Sequence, residues 1–183
     1  MVALILFVVA SAGIAYLSRH SLHAPHSHGF YRFFAWESIL ALLLLNWPRW
    51  FQDPLALRQI MSWLLLTASA VLVLHGAYLL RRVGRPSEQR NADRTLIGIE
   101  KTTTLVTVGA FKYIRHPVYT SLLCLAWGVF LKSPSRPGGV LAFAATICLV
   151  VTARIEEVEC IRFFGAAYAA YMKHTKMFIP FLI

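Results

Sequence analysis

The recurring apolar runs dictate what this chain can fold into. Uncharged or nearly uncharged stretches recur at 1–18, 30–47, 58–80, 117–131 and 140–153, the last two short for a full crossing of the bilayer, and polar or basic connectors separate them, the longest after the third. In lipid only a helix satisfies every backbone N–H and C=O within its own segment, so such runs read as transmembrane helices. With 58% hydrophobic and only 14% charged residues, the chain is too apolar for a soluble domain of its size. The expectation is all-α: a polytopic membrane helical bundle of about five transmembrane helices plus an amphipathic C-terminal helix. All of 1–183 forms one membrane domain.

The runs differ in what interrupts them. No Lys or Arg precedes the first, which favours a retained helix over a cleaved signal peptide. The polar segment after it carries His20, His23, His26 and His28. It reads either as a headgroup-level loop or as a metal- or partner-binding loop, though no carboxylate or cysteine joins the histidines. Glu37 lies inside the second run, within reach of headgroups or of Arg32. His75 in the third run reads as a packing residue. Cys124, Cys148 and Cys160 have no metal-type spacing and form no even-numbered disulfide framework.

The formal net charge of +10 is explained by topology, since no basic face interleaved with aromatics marks a nucleic-acid surface. Placing the 81–116 connector in the cytoplasm leaves only Arg49, Arg58, Lys132 and Arg136 outside, of eighteen Lys and Arg residues. The N-terminus is then outside and the C-terminus inside. The N-terminal spans occupy 1–80, a helical hairpin 117–153, and a C-terminal cytoplasmic or interfacial helix 154–183. The hairpin turns through the breaker-rich segment K-S-P-S-R-P-G-G.

Two segments on that common face carry the chemistry. The first, 109–121, reads G-A-F-K-Y-I-R-H-P-V-Y-T-S. The second begins at Arg154 and places Glu157, Ile161, Phe164, Tyr168 and Tyr171 at helical spacing. Together they offer Tyr113, Arg115, His116, Tyr119, Arg154, Glu156, Glu157, Tyr168 and Tyr171. They contain no nucleophile backed by a base, no metal set and no P-loop. They suit a zwitterion with a cationic centre: carboxylates for an ammonium group, a helix start at Pro117 for a carboxylate, and tyrosine faces near a sulfonium. Local alternatives stand beside this reading. Arg154 and Glu157, three apart, could pair on one helix, and interfacial arginines and tyrosines commonly serve as anchors.

R-H-P-V-Y after G-A-F-K-Y-I, a two-span hairpin, and then E-E with F-F-G-A-A-Y-A-A-Y and a final F-I-P-F resemble the isoprenylcysteine carboxyl methyltransferase and phospholipid methyltransferase superfamily of membrane enzymes. The resemblance covers about Leu96 to the C-terminus. It implies S-adenosyl-L-methionine as cofactor, in a site built from 105–121 and 154–175. The backbone at Val108, Gly109 and Ala110 would approach it, with His116 and Pro117 at its amino-acid end. Tyr113 and Tyr119 would shape the pocket, and Glu156 or Glu157 would face its ammonium. Arg115 or Arg154 would orient an anionic acceptor, and Glu157 would be either a base or a cofactor ligand. Ala110 stands where relatives often have proline, and Ser121 where they often have glycine. The implied acceptor is lipid-borne, a carboxylate as in isoprenylcysteine methylation or an amine on a phospholipid headgroup. A non-enzymatic protein binding metal or a partner through the histidine loop is the reading from another class.

Overall fold

A computed structural model describes residues 1–87, 96 and 98–181; Arg90 and Arg94, counted in the charge bias, lie outside the described residues. The described elements are helical: α1 (Val2–Leu22), α2 (His28–Asn46), α3 (Leu57–Arg82), α4 (Pro117–Lys132), α5 (Arg136–Phe164) and α6 (Ala166–His174). α1, α3 and α5 are each long and apolar enough to cross a membrane. α4 is a 16-residue apolar helix and α2 a 19-residue one carrying Arg32 and Glu37.

Two antiparallel pairings make the bundle, α3 along α4 and α2 along α5, with α1 on the outer side of α2. Ile39, Leu42, Ala126, Val129, Ala142 and Ala145 form the core at one end. At the other end Ala35, Tyr119, Leu149 and Ala153 pack with Met177 and Phe178 from beyond α6. Lipid tails are as apolar as leucine, so helices gain little by hiding leucines from them; close backbone approach and polar contacts must hold them instead. A Cβ on Gly128 would stand 3.1 Å from the Leu66 side chain. Just there the Ser62 hydroxyl donates to the Gly128 carbonyl at 2.6 Å, and Asn46 Nδ2 donates to the Val129 carbonyl at 2.9 Å. Aliphatic residues along α1, such as Val2, Leu4, Ile5 and Val9, face outward.

Several boundaries move from their sequence positions. α1 continues to Leu22 and α2 begins at His28, so the histidine loop shrinks to the residues between them. The last long helix does not stop at Ala153: it runs without a break to Phe164, because the end of an apolar run is not the end of hydrogen bonding. The C-terminal helix therefore begins at Ala166, not Arg154. Gly165, at φ +61°, separates the two, a conformation costly for any residue with a Cβ. The turn expected over 132–139 shortens to 133–135, because Pro137, Gly138 and Gly139 fall in the first turn of α5, where a proline needs no N–H partner. Ser135 caps α5 by accepting the Gly138 N–H at 3.2 Å.

Candidate functional site

Gly109 starts the site. It sits at φ +61°, and a Cβ there would stand 2.5 Å from His75 Nε2 and 2.6 Å from Leu79 Cδ1. Glycine is thus required both for conformation and for closeness. His75 Nε2 in turn accepts the Ala110 N–H at 3.4 Å, which fixes the short 3₁₀ turn Gly109–Lys112 against α3. Beyond it the chain meets the segment that follows α6. Lys176 N–H donates to the Tyr113 carbonyl at 3.1 Å, Arg115 N–H to the Lys176 carbonyl at 2.7 Å, and His116 N–H to the Met177 carbonyl at 3.2 Å. The result is a parallel bridge between Ile114 and Lys176. The Arg115 side chain also donates to the Thr175 carbonyl.

This strap brings the two sequence segments together. Arg115 Nε donates to Glu157 Oε1 at 2.6 Å. His116 stands 3.4 Å from the same oxygen through Nε2 and 3.6 Å from Glu156 Oε2 through Nδ1. Its ring stacks on Tyr119, centroids 5.4 Å apart and planes 13° from parallel. Tyr171 donates its hydroxyl to the Phe111 carbonyl at 2.6 Å, tying α6 to the 3₁₀ turn. Burial, the larger cause, pushes the Tyr168 and Tyr171 phenols above their ordinary range, so both are neutral.

Two small cavities of about 60 Å³ each share Leu80, Phe111, Arg115, His116 and Glu156 as walls. One adds Ile99, Glu100, Pro117, Val118 and Tyr119. The other adds Thr102, Leu105, Val106, Cys160, Phe164, Tyr168 and Tyr171. Around them, three buried polar atoms complete no hydrogen bond among the described residues: Glu156 Oε2, which faces His116 Nδ1 only at 3.6 Å, His116 Nε2, which faces Glu157 Oε1 only at 3.4 Å, and the Tyr119 hydroxyl. Buried polar groups are nearly always paired, since leaving one unpaired costs about 1–3 kcal/mol. Three converging on one space mark capacity for a polar ligand. Glu100 and the start of α4 wall one lobe, and Phe164, Tyr168 and Tyr171 wall the other.

A third cavity is larger, about 540 Å³, and almost wholly apolar. Leu65 of α3, Leu123, Cys124 and Trp127 of α4, Val150 of α5 and the Met177–Phe178–Ile179 segment line it, together with Thr120, Thr146 and Arg154. Phe178 lines this cavity while its ring lies 6.1 Å from His116, which lines the polar ones. The wall between the two kinds of space is therefore one residue thick.

The expected site residues are placed unequally. Arg115, His116, Pro117, Tyr119 and Glu156 line the polar cavities, and Glu157 is buried behind them, paired with Arg115. Arg154 does not pair with Glu157. It lies exposed at the large apolar cavity, and no carboxylate among the described residues pairs with it. Val108 and Tyr113 are about half exposed and, with Gly109 and Ala110, line none of the three cavities. Tyr113 leans instead on Phe181. Glu37 does not meet Arg32; it accepts the Ser11 hydroxyl of α1 at 2.5 Å.

The sequence reading missed a second buried ion cluster. His28 is fully buried, with Nδ1 2.5 Å from Glu159 and Nε2 3.4 Å from Glu100. Arg32, also buried, pairs with Glu100 and lies over the Trp36 ring. The histidine loop is thus not gathered as a metal site, and among the described residues no group of three or more His, Cys, Asp or Glu could hold a metal ion. The signals were present: an arginine inside an apolar run, and a third carboxylate in E-E-V-E. Burial would raise the Glu100 carboxyl, but the Arg32 guanidinium and the His28 ring outweigh it and hold it down at about 2.

Comparison with known proteins shows the chain's family. The chain is 34% identical over 88 residues to methanethiol S-methyltransferase 1 of Bradyrhizobium diazoefficiens, covering 46% of this chain and 30% of that protein. It is 32% identical over 74 residues to methanethiol S-methyltransferase of Pseudomonas deceptionensis, covering 39% of this chain and 27% of that protein. The matches thus span under a third of each relative's length. No solved structure matches significantly. The phospholipid methyltransferase family model, however, matches residues 57–167, which takes in α3, the Gly109 turn, the Arg-His-Pro triplet and the Glu156–Glu157 pair. The chain belongs to the phospholipid methyltransferase family.

Proposed function

We propose that the chain is an S-adenosyl-L-methionine-dependent membrane methyltransferase. Its donor lies in the paired polar cavities beside His116, and its acceptor enters from the lipid through the apolar cavity between α3, α4 and α5. The observation that carries this reading is the trio of buried unpaired atoms on Glu156, His116 and Tyr119. Glu156 Oε2, which faces His116 Nδ1 only at 3.6 Å, can receive an ammonium group. The first turn of α4, opening at Pro117, offers backbone N–H groups to a carboxylate. Phe111, Phe164 and Tyr168 supply apolar faces for an aromatic ring. Gly109, Ala110 and their neighbours Val108 and Tyr113 act by carrying Phe111 into the wall and receiving the strap. Arg115 and Glu157 lock that strap in place.

When bound, the donor supplies an electrophilic methyl group on a sulfonium and leaves as a neutral thioether. The residues therefore need to align the partners and exclude water. Which acceptor fits follows from the apolar cavity. An amine or a thiol must lose a proton, yet no carboxylate or histidine lines that cavity. A carboxylate is already ionised and needs only to be oriented, which exposed Arg154 at the rim can do. We therefore favour a lipid-borne carboxylate. A phospholipid headgroup amine would meet the Arg154 charge unfavourably. A small thiol is the second reading, because both relatives are named methanethiol S-methyltransferases. With the donor side in the cytoplasm, the N-terminus lies outside and the C-terminus inside, as the charge bias expects.

Calorimetric titration of the detergent-solubilised chain with S-adenosyl-L-methionine or S-adenosylhomocysteine tests the donor assignment. Folded protein that binds neither sinks it, and binding lost in Glu156→Ala or His116→Ala places it. Transfer assays with a prenylated cysteine analogue, phosphatidylethanolamine and methanethiol then rank the acceptors. Activity with the first should fall in Arg154→Ala through acceptor KM.

A further inference from the structure

The family match begins at residue 57, yet a buried charge cluster from α2 reaches into the donor site. Glu100 is the link. It ends the short turn Gly98–Glu100 and lines the same cavity as Glu156, His116 and Tyr119. One of its oxygens faces Arg32 and the other faces His28 Nε2. His28 is itself held by Glu159, which takes both its Nδ1 and, at 3.4 Å, its backbone N–H. With a carboxylate at each ring nitrogen, His28 donates to both only as the imidazolium. It thereby clamps α2, α5 and the connector together at one buried point. Such a clamp is expensive to build from charges, and plain packing would close three elements more cheaply. What distinguishes it is its orientation, since Glu100 lines a cavity in which the buried Tyr119 hydroxyl and His116 Nε2 complete no hydrogen bond, His116 Nε2 meeting Glu157 Oε1 only as a 3.4 Å ion contact.

Resting on the donor assignment above, we infer that Glu100 is a second donor-binding carboxylate, facing the cationic end of the donor together with Glu156, and that His28 and Arg32 are its positioning residues. Glu100 lies within the family-matched stretch, and the residues that position it lie outside that stretch, in α2. Glu100 touches the ligand. His28 and Arg32 act through Glu100, by fixing where its charge stands.

Calorimetry on the full chain in detergent, with S-adenosyl-L-methionine and S-adenosylhomocysteine as probes, tests this alongside initial-rate kinetics. Glu100→Gln keeps the shape and removes the charge. It should weaken donor binding about tenfold or more, as loss of a charge-assisted contact does. Donor KM should rise while kcat and acceptor KM hold. Arg32→Lys and His28→Gln should raise donor KM in the same sense, Arg32→Lys less because the charge survives. A merely structural cluster gives another pattern: a lower melting temperature and fewer active molecules, with donor KM and affinity per folded molecule unchanged. That pattern overturns the inference. Should Glu100→Gln fail to fold, Glu100→Asp retains the charge on a shorter arm, and an unchanged donor KM there overturns it equally. If the wild-type chain binds neither probe, the donor assignment falls and takes this inference with it. If the wild type binds and the Glu100 variants bind as well as it does, only this inference falls.

Discussion

Both ends of the bundle bury charge, and they do so in opposite ways. Near the α4–α5 turn, Lys132 is fully buried, yet its ammonium donates to Gln59 Oε1 at 3.0 Å and sits 3.3 Å above the Trp63 ring, with Trp50 on another side. Gln59 also donates to the Gln52 carbonyl at 2.8 Å, and Arg58 caps the Lys132 carbonyl at 2.5 Å. No cavity with spare polar atoms is left beside them among the described residues. At the other end Arg115 pairs with Glu157 and His116 lies beside Glu156, but atoms of His116, Glu156 and Tyr119 complete no hydrogen bond around open space. A buried charge is therefore a poor guide to a site. Unused hydrogen-bonding capacity facing a cavity is the better one.

Substitution can break this contrast. The largest effect is expected from Glu156→Gln, which should weaken donor binding about tenfold to a hundredfold while leaving the melting temperature unchanged or raised. The lost charge was stabilising a ligand and not the fold. Calorimetry and a thermal melt on one preparation read both quantities. Lys132→Met should do the reverse. It strands Gln59 Oε1 and costs about 1–3 kcal/mol of stability, with donor affinity untouched. Loss of donor affinity there would erase the distinction between the ends.

Acid sharpens the comparison. The Glu100 carboxyl sits at about 2 in the fold against an ordinary 4.5. Its ionised form is thus favoured by folding, and its contribution is fully present above about 4.5 and lost as pH falls towards 2. Melting temperatures followed over that window should drop more steeply for the wild type than for Glu100→Gln. The smallest effect belongs to the interhelical hydroxyl. Ser62→Ala should cost about 0.6 kcal/mol, the average for such contacts inside membranes, measured by the same melts.

Much of the bundle was legible because membrane helices announce themselves by long apolar runs, and the α4–α5 turn by its prolines and glycines. The end of α5 was not, since its polar continuation through Glu156, Glu157 and Glu159 is helical by hydrogen bonding and silent in hydropathy. The Arg115–His116 and Glu156–Glu157 halves were visible as motifs. Their pairing was less so: Glu157 had a candidate partner three residues away in Arg154, but α5 turns that arginine to the apolar cavity and offers Glu157 to Arg115, 42 positions away. His28 and Glu159 are 131 positions apart and Arg32 and Glu100 are 68 apart. No local spacing encodes such contacts, and four histidines in a row of loop residues drew attention to metal instead.

The one-residue wall at Met177–Phe178 also has a consequence in time. The carbonyls of Thr175 and Lys176 that receive Arg115 lie about 60 positions downstream of it. Neither kind of cavity has all its walls until residues far downstream of α4 are in place: Glu156 closes the polar ones, Val150 and Arg154 the apolar one, and Met177 and Phe178 come later still. The site is therefore complete only once the strap residues have been added to the chain.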